Sequence, residues 1–172
     1  MKKKLLVLLV ICTVMMTVLS CTFTLNGAST TGLKTIYVGY FENDAPYVEA
    51  TLSQDFTEAL KARIRSTTSL SIVRTEEGAD ASMTGTITGY SIAPVSISAT
   101  NNNTAPIAGA SALTITVQVK YVNNFDKKNN YEQTFSESQN FTGDIASQQT
   151  KIIPVITQAL TEDIFNKAFA NW

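Results

Sequence analysis

A chain of 172 residues carrying 13 Lys and Arg against 14 Asp and Glu, with a formal charge of -1 and no histidine, is closed to several kinds of chemistry from the outset. Without histidine there is no Ser-His-Asp or Cys-His catalysis, no His-ligated zinc and no imidazole proton shuttle. The only cysteines are Cys12 and Cys21, which leaves the rest of the chain without thiolate metal sites, redox pairs or an internal disulfide, and beyond the N-terminal Lys2–Lys4 the chain does not supply the clustered Lys and Arg that neutralise nucleic-acid phosphates.

The N-terminus runs from Lys2, Lys3 and Lys4 through an apolar stretch, Leu5 to Leu19, into Ser20-Cys21. Charge, apolar core and a small residue before the cut, in that order, read as a secretory signal peptide over residues 1–20, too short for a confident membrane span. A cysteine directly after the small residue resembles the bacterial lipoprotein signal. Cleavage between Ser20 and Cys21 then leaves Cys21 carrying S-diacylglycerol and an N-acyl (palmitate-type) chain, with no other cofactor expected. Two or more acyl chains anchor stably, at about 0.8 kcal/mol per buried methylene. Loss of three signal lysines lowers the formal charge to about -4.

Residues 21–33 are small and polar and form a tether, and residues 34–172 form one domain. The first strand is expected over 34–41, with Ile36, Val38 and Tyr40 on one face and Tyr37 and Phe41 on the other, covered on both sides. After a turn at 43–46, Leu52, Phe56, Ala59, Leu60 and Ile64 set an apolar stripe for a helix over 52–66, capped by Thr51 or Ser53. Its Lys61, Arg63 and Arg65 suit the negative end of the helix dipole and otherwise read as a solvated face.

A short strand over 70–74 completes a βαβ unit. The next β segment spans 82–97, with Met83, Gly85, Ile87 and Gly89 alternating against Thr84, Thr86, Thr88 and Tyr90, Gly85 and Gly89 permitting close approach or marking a bulge, and Pro94 breaking the ladder. Residues 100–111 read as a long polar loop, either a contact element or a tolerated hairpin end. The clearest strand is 112–123, where Leu113, Ile115, Val117, Val119 and Tyr121 alternate with polar residues. A turn at 124–130, whose Asn and Asp fit turn chemistry better than a calcium loop, leads to a strand over 131–141. A helix over 147–171 keeps the 3.6-residue period through Ile152, Ile156, Ala159, Leu160, Ile164 and Ala168, widened by Ile153, Val155 and Phe165. Pro154 marks its start or a kink, and Phe169 and Trp172 close the core.

The order β-α-β-β-β-β-α gives an α+β two-layer sandwich: one mixed, mainly antiparallel sheet with both helices on one face and a polar, weakly charged opposite face. Acidic pairs (Asp55/Glu58, Glu76/Glu77, Glu162/Asp163) sit where exposed charge is expected, so no catalytic residue and no metal site is assigned.

The runs KTIYVGYFENDAP (34–46), LSQDFTEALK (52–61), GTITGYSIAP (85–94), LTITVQVKY (113–121) and EDIFNKAFANW (162–172) together resemble the LptE lipopolysaccharide-assembly lipoproteins of the Bacteroidetes type. The resemblance implies a non-catalytic lipoprotein on the periplasmic face of the outer membrane, held in its inner leaflet by lipid, that plugs an LptD-like β-barrel and assists lipopolysaccharide delivery. It also implies contact with lipopolysaccharide through basic side chains, for which the candidates are Lys120, Lys127, Lys128 and Arg74, against the alternative of solvated surface charges. Residues 34–90 are equally similar to periplasmic lipoprotein adaptors that activate peptidoglycan synthases or build secretion pores. The C-terminal half separates the two readings.

Overall fold

The computed structural model describes residues 30–47, 49–95 and 110–170, so the signal stretch, Ser20, Cys21, most of the tether, most of the 100–111 loop and Trp172 lie outside the described residues. Six strands form one sheet: β1 (Thr35–Val38), β2 (Glu42–Asn43), β3 (Ser71–Val73), β4 (Ala81–Pro94), β5 (Ala110–Asn123) and β6 (Tyr131–Thr142). Two helices, α1 (Leu52–Thr67) and α2 (Gln149–Phe169), pack on it. The spatial order is β3-β1-β4-β5-β6, with β2 pairing in parallel to β4. The two long pairings, β4 with β5 and β5 with β6, are antiparallel, while β1 is parallel to both neighbours. The expected α+β architecture is therefore present, with a two-residue strand added before α1.

Alternation drives the packing. On β5, Leu113, Ile115, Val117, Val119 and Tyr121 are buried, whereas Gln118 and Lys120 are exposed. The buried row meets Leu52, Phe56, Leu60 and Ile64 of α1 and Ile152, Ile156, Leu160 and Ile164 of α2 in one core. Each such side chain stabilises the fold by about 1.5–3 kcal/mol, so the helices owe their stability to this stripe more than to their caps. Thr51 occupies the N-cap position of α1 yet makes no side-chain cap bond, and Ser53 is a buried residue of the first turn. Instead, the Phe41 N–H donates to Thr57 Oγ1 at 3.1 Å, which ties α1 to the end of the first strand segment.

Two single-residue irregularities alter the expected strand faces. At Gly39 the chain leaves β1, which is shorter than expected; Tyr40 turns outward at 59% exposure, and Phe41 turns into the core against Phe56 at 5.1 Å. On β4 the register slips between Ile87 and Gly89, leaving Thr88 extra. One extra residue inverts alternation, so Tyr90 lies opposite Ile115 and is buried rather than sharing the threonine face.

Gly85 permits a close approach: a Cβ there would collide with the Gln118 carbonyl and lie 2.6 Å from the Phe41 ring. Pro94 does not break the ladder, because it pairs with Ser111 and the next N–H, of Val95, donates to the Ala110 carbonyl at 3.0 Å. Ala110 and Ser111 consequently belong to β5 and not to the loop. In α2, Pro154 lies inside the helix, five residues after its first, and Val155 faces solvent at 51% exposure instead of widening the apolar stripe.

Candidate functional site

The open face of the sheet is built from the outward positions of β4, β5 and β6. Thr116 and Ser136 share a hydroxyl hydrogen bond at 3.0 Å, and Gln118 Nε2 donates to Glu132 Oε1 at 2.9 Å. Lys120 is exposed on the same face, opposite Thr84 on one side and Glu132 on the other. The face therefore presents hydroxyls, amides and one cation beside one carboxylate, a surface that exchanges hydrogen bonds without a strong field.

At one end of this face the β5–β6 turn is rigidly laced. Asn123 Oδ1 accepts from the N–H groups of Phe125 and Asp126, both at 2.9 Å, and Asn130 Oδ1 accepts from Asn123 N–H at 2.7 Å. Asp126 caps a 3-10 turn over Lys127–Asn129 by accepting from Lys128 N–H at 3.1 Å. The expected turn chemistry thus accounts for every Asn and Asp named here, and it holds Lys127 and Lys128 outward in solvent.

Asn124 Nδ2 also donates to the Ala79 carbonyl at 2.7 Å. Beside it, Asp80 accepts from the N–H groups of Lys34 and Thr35 at 2.8 and 2.9 Å, and these two bonds hold its carboxyl below the usual aspartate range.

The four basic candidates do not form one site. Lys127 and Lys128 stand on the turn that joins β5 to β6, and Lys120 lies three residues before the end of β5. Arg74 follows β3, on the opposite edge of the sheet, with β1 and β4 intervening. Three strand spacings place that edge about 14 Å from β5. Arg74 lines a different cleft, of about 390 Å³, together with Tyr37, Lys61, Arg65, Ile72 and Val73.

Between the helices runs a larger groove of about 820 Å³. It is bracketed by Gln149 Nε2 donating to Glu49 Oε2 at 3.0 Å and by Arg63, which reaches the Gln158 carbonyl at 3.4 Å and Glu162 at 3.5 Å. These contacts advance along both helices together, so α1 and α2 run side by side in the same direction. Ala59, Ala62, Ile153 and Pro154 line the groove, and so does Thr157, whose buried hydroxyl has no hydrogen-bond partner.

One acidic contact was not visible in the sequence. Glu137 of β6 is half-buried beside Asp163 of α2; burial first, and then the Asp163 charge, push its carboxyl above the usual glutamate range. Glu137 and Asp163 are far apart in the chain, so no local pattern signals their meeting. The expected acidic pairs resolve differently, since Glu58 bonds Lys61 at 3.0 Å and Glu162 pairs with Arg63. Among the described residues no group of three or more acidic side chains could hold a metal ion, and no helix is long and apolar enough to cross a membrane. Burial raises the phenol of Tyr121 to about 12 and pushes that of the half-buried Tyr131 upward as well, and the two rings pack at 5.6 Å.

Solved structures share the fold. The hypothetical protein CT253 from Chlamydia trachomatis aligns at TM-score 0.57 with 10% identity, covering 81% of this chain and 99% of its own. Protein XCC0632 from Xanthomonas campestris aligns at 0.51 with 13% identity, covering 79% and 84%. No curated protein matches the chain. The family model described as "LptE: Lipopolysaccharide-assembly" matches residues 33–168, which takes in the whole sheet and nearly all of both helices.

Proposed function

The chain belongs to the LptE family of lipopolysaccharide-assembly proteins, and from that premise we propose that it is a lipid-anchored plug for an LptD-like outer-membrane barrel. The family is one of assembly lipoproteins, not enzymes. The observation that carries the reading is the extent of the family match, which coincides with the folded unit from Leu33 to Ala168.

In this reading Cys21 carries the acyl chains that hold the protein to the periplasmic face of the outer membrane. The open sheet face, with Thr116, Ser136, Gln118 and Glu132, suits a polar barrel lumen, because its hydrogen-bonding groups exchange for lumen groups without burying a large charge. Lys120, Lys127 and Lys128 are the side chains offered to lipopolysaccharide phosphates near the β5–β6 turn.

The test is retrieval of lipopolysaccharide by the tagged protein. Lys120→Ala combined with Lys127→Ala should retain less lipopolysaccharide while leaving the fold intact. Undiminished retrieval would remove these lysines from the function. Cys21→Ala should release the protein from the membrane fraction, whereas persistent membrane association would show that lipid on Cys21 is not the anchor.

A further inference from the structure

The cleft at the β3 edge is distinct from the sheet face and turn assigned above. Lys61 and Arg65 stand four residues apart on α1, which places both on one side of the helix. The crossover from β1 through α1 to β3 sets that side against the sheet edge, where Arg74 follows the last strand residue. Three cations from two elements thus line one cleft of about 390 Å³.

Their neutralisation inside the protein is slight. Glu58 bonds Lys61 at 3.0 Å but is itself 56% exposed, and neither Arg65 nor Arg74 forms an ion pair among the described residues, although Glu76 and Glu77 follow Arg74 closely in the chain. Arg63, on the other side of α1, is by contrast spent on Glu162 and the Gln158 carbonyl. Position near the helix C-terminus accounts for Arg65, but it does not account for Arg74, which belongs to no helix. One wall adds apolar surface, since Ile72 is half-buried there and packs against the core.

The geometry points to a binding site for a phosphate group in this cleft, with the Arg65 and Arg74 guanidinium groups as its principal donors, Lys61 as a further cation, and Ile72 as an apolar wall beside them. Guanidinium groups match phosphate oxygens with paired N–H donors, and a cleft lined by one sign of charge concentrates anions. The phosphate could come from a free anion or from a phosphorylated glycolipid headgroup. Only the second source rests on the function proposed above.

The experiment uses the full lipidated chain in neutral detergent, with inorganic pyrophosphate as the first probe and purified lipopolysaccharide as the second. Calorimetric titration of the wild type with pyrophosphate should saturate. Arg65→Gln with Arg74→Gln should weaken that binding at least tenfold and flatten its salt dependence, Arg65→Gln with Arg74→Lys should retain more of it than the double glutamine variant, and Lys151→Gln, at an exposed position of α2 away from the cleft, should leave it unchanged. Both arginines project at the surface and the unfolding midpoint is the control for the fold. Absence of saturable binding, or equal binding by the double arginine variant, overturns the site. A parallel loss of lipopolysaccharide binding assigns the phosphate to the glycolipid. Loss of pyrophosphate binding alone upholds the site, assigns it to a free anion, and leaves the lipopolysaccharide reading to the sheet lysines.

Discussion

The two faces of the sheet are made by the same strands and differ in almost every property. Toward the helices, Ile115, Val117 and Val119 are fully buried, and an aromatic group joins Tyr121 to Phe169 at 5.7 Å and to Tyr131. Toward the open side, Thr116 and Gln118 make polar cross-strand bonds to Ser136 and Glu132, and Lys120 stands exposed opposite Glu132. A period-two strand separates the two tasks: one face specifies the fold, and the other is free to meet a partner. Changes on the covered face should therefore be read in stability, and those on the open face in binding.

The largest expected effect is Leu160→Ala, which empties a fully buried position beneath α2 and should cost about 2–5 kcal/mol in denaturant unfolding. Gly85→Ala comes next, because its methyl has nowhere to go between Phe41 and the Gln118 carbonyl; about 1–3 kcal/mol of destabilisation is expected, with β4 as the distorted element. Thr157→Val should act in the opposite direction. It removes a buried hydroxyl with no partner at nearly constant shape, and should raise stability by about 1 kcal/mol.

A smaller, pH-dependent effect is expected at Glu137. Its folded-state pKa is raised by burial and by Asp163, so its protonated form favours the fold; that contribution is fully present below the ordinary glutamate pKa and is lost as pH rises through the raised value. Glu137→Gln should therefore show little difference from the wild type in melting temperature near pH 4, and a modest gain near pH 7. A gain that shrinks with rising pH would contradict the sign. The least effect on stability, within about 0.5 kcal/mol, belongs to Lys120→Ala with Lys127→Ala on the open side, where only lipopolysaccharide retention should change.

The covered face was legible in the sequence because repetition carried it. Leu113 to Tyr121 and the stripes of both helices recur at fixed periods, and the structure buries those rows, apart from the half-buried Ala59, Ala159 and Ala168 and the exposed Val155. What escaped was whatever a single residue changed. Gly39 and the bulge at Thr88 each shift the phase by one, which moved Tyr40 out and Tyr90 in. The close approach at Gly85 was anticipated as a possibility for a strand glycine, but its partner, Phe41, was assigned to the opposite side of a longer strand.

The candidate sites were less legible, since they depend on contacts between distant segments. Lys61 and Arg65 announce themselves four residues apart, yet Arg74 joins them only through the β1-α1-β3 crossover. Nothing in the local sequence placed Arg74 away from Lys120. Nor did it bring Glu137 to Asp163.

The central claim, that this fold serves as the plug of a lipopolysaccharide-exporting barrel, is tested most directly by isolating the tagged, lipidated protein from outer membranes and identifying what remains bound after washing in detergent. The account predicts an LptD-like β-barrel in near-equal amount, with lipopolysaccharide. A peptidoglycan synthase or a secretion-pore subunit in its place would contradict it.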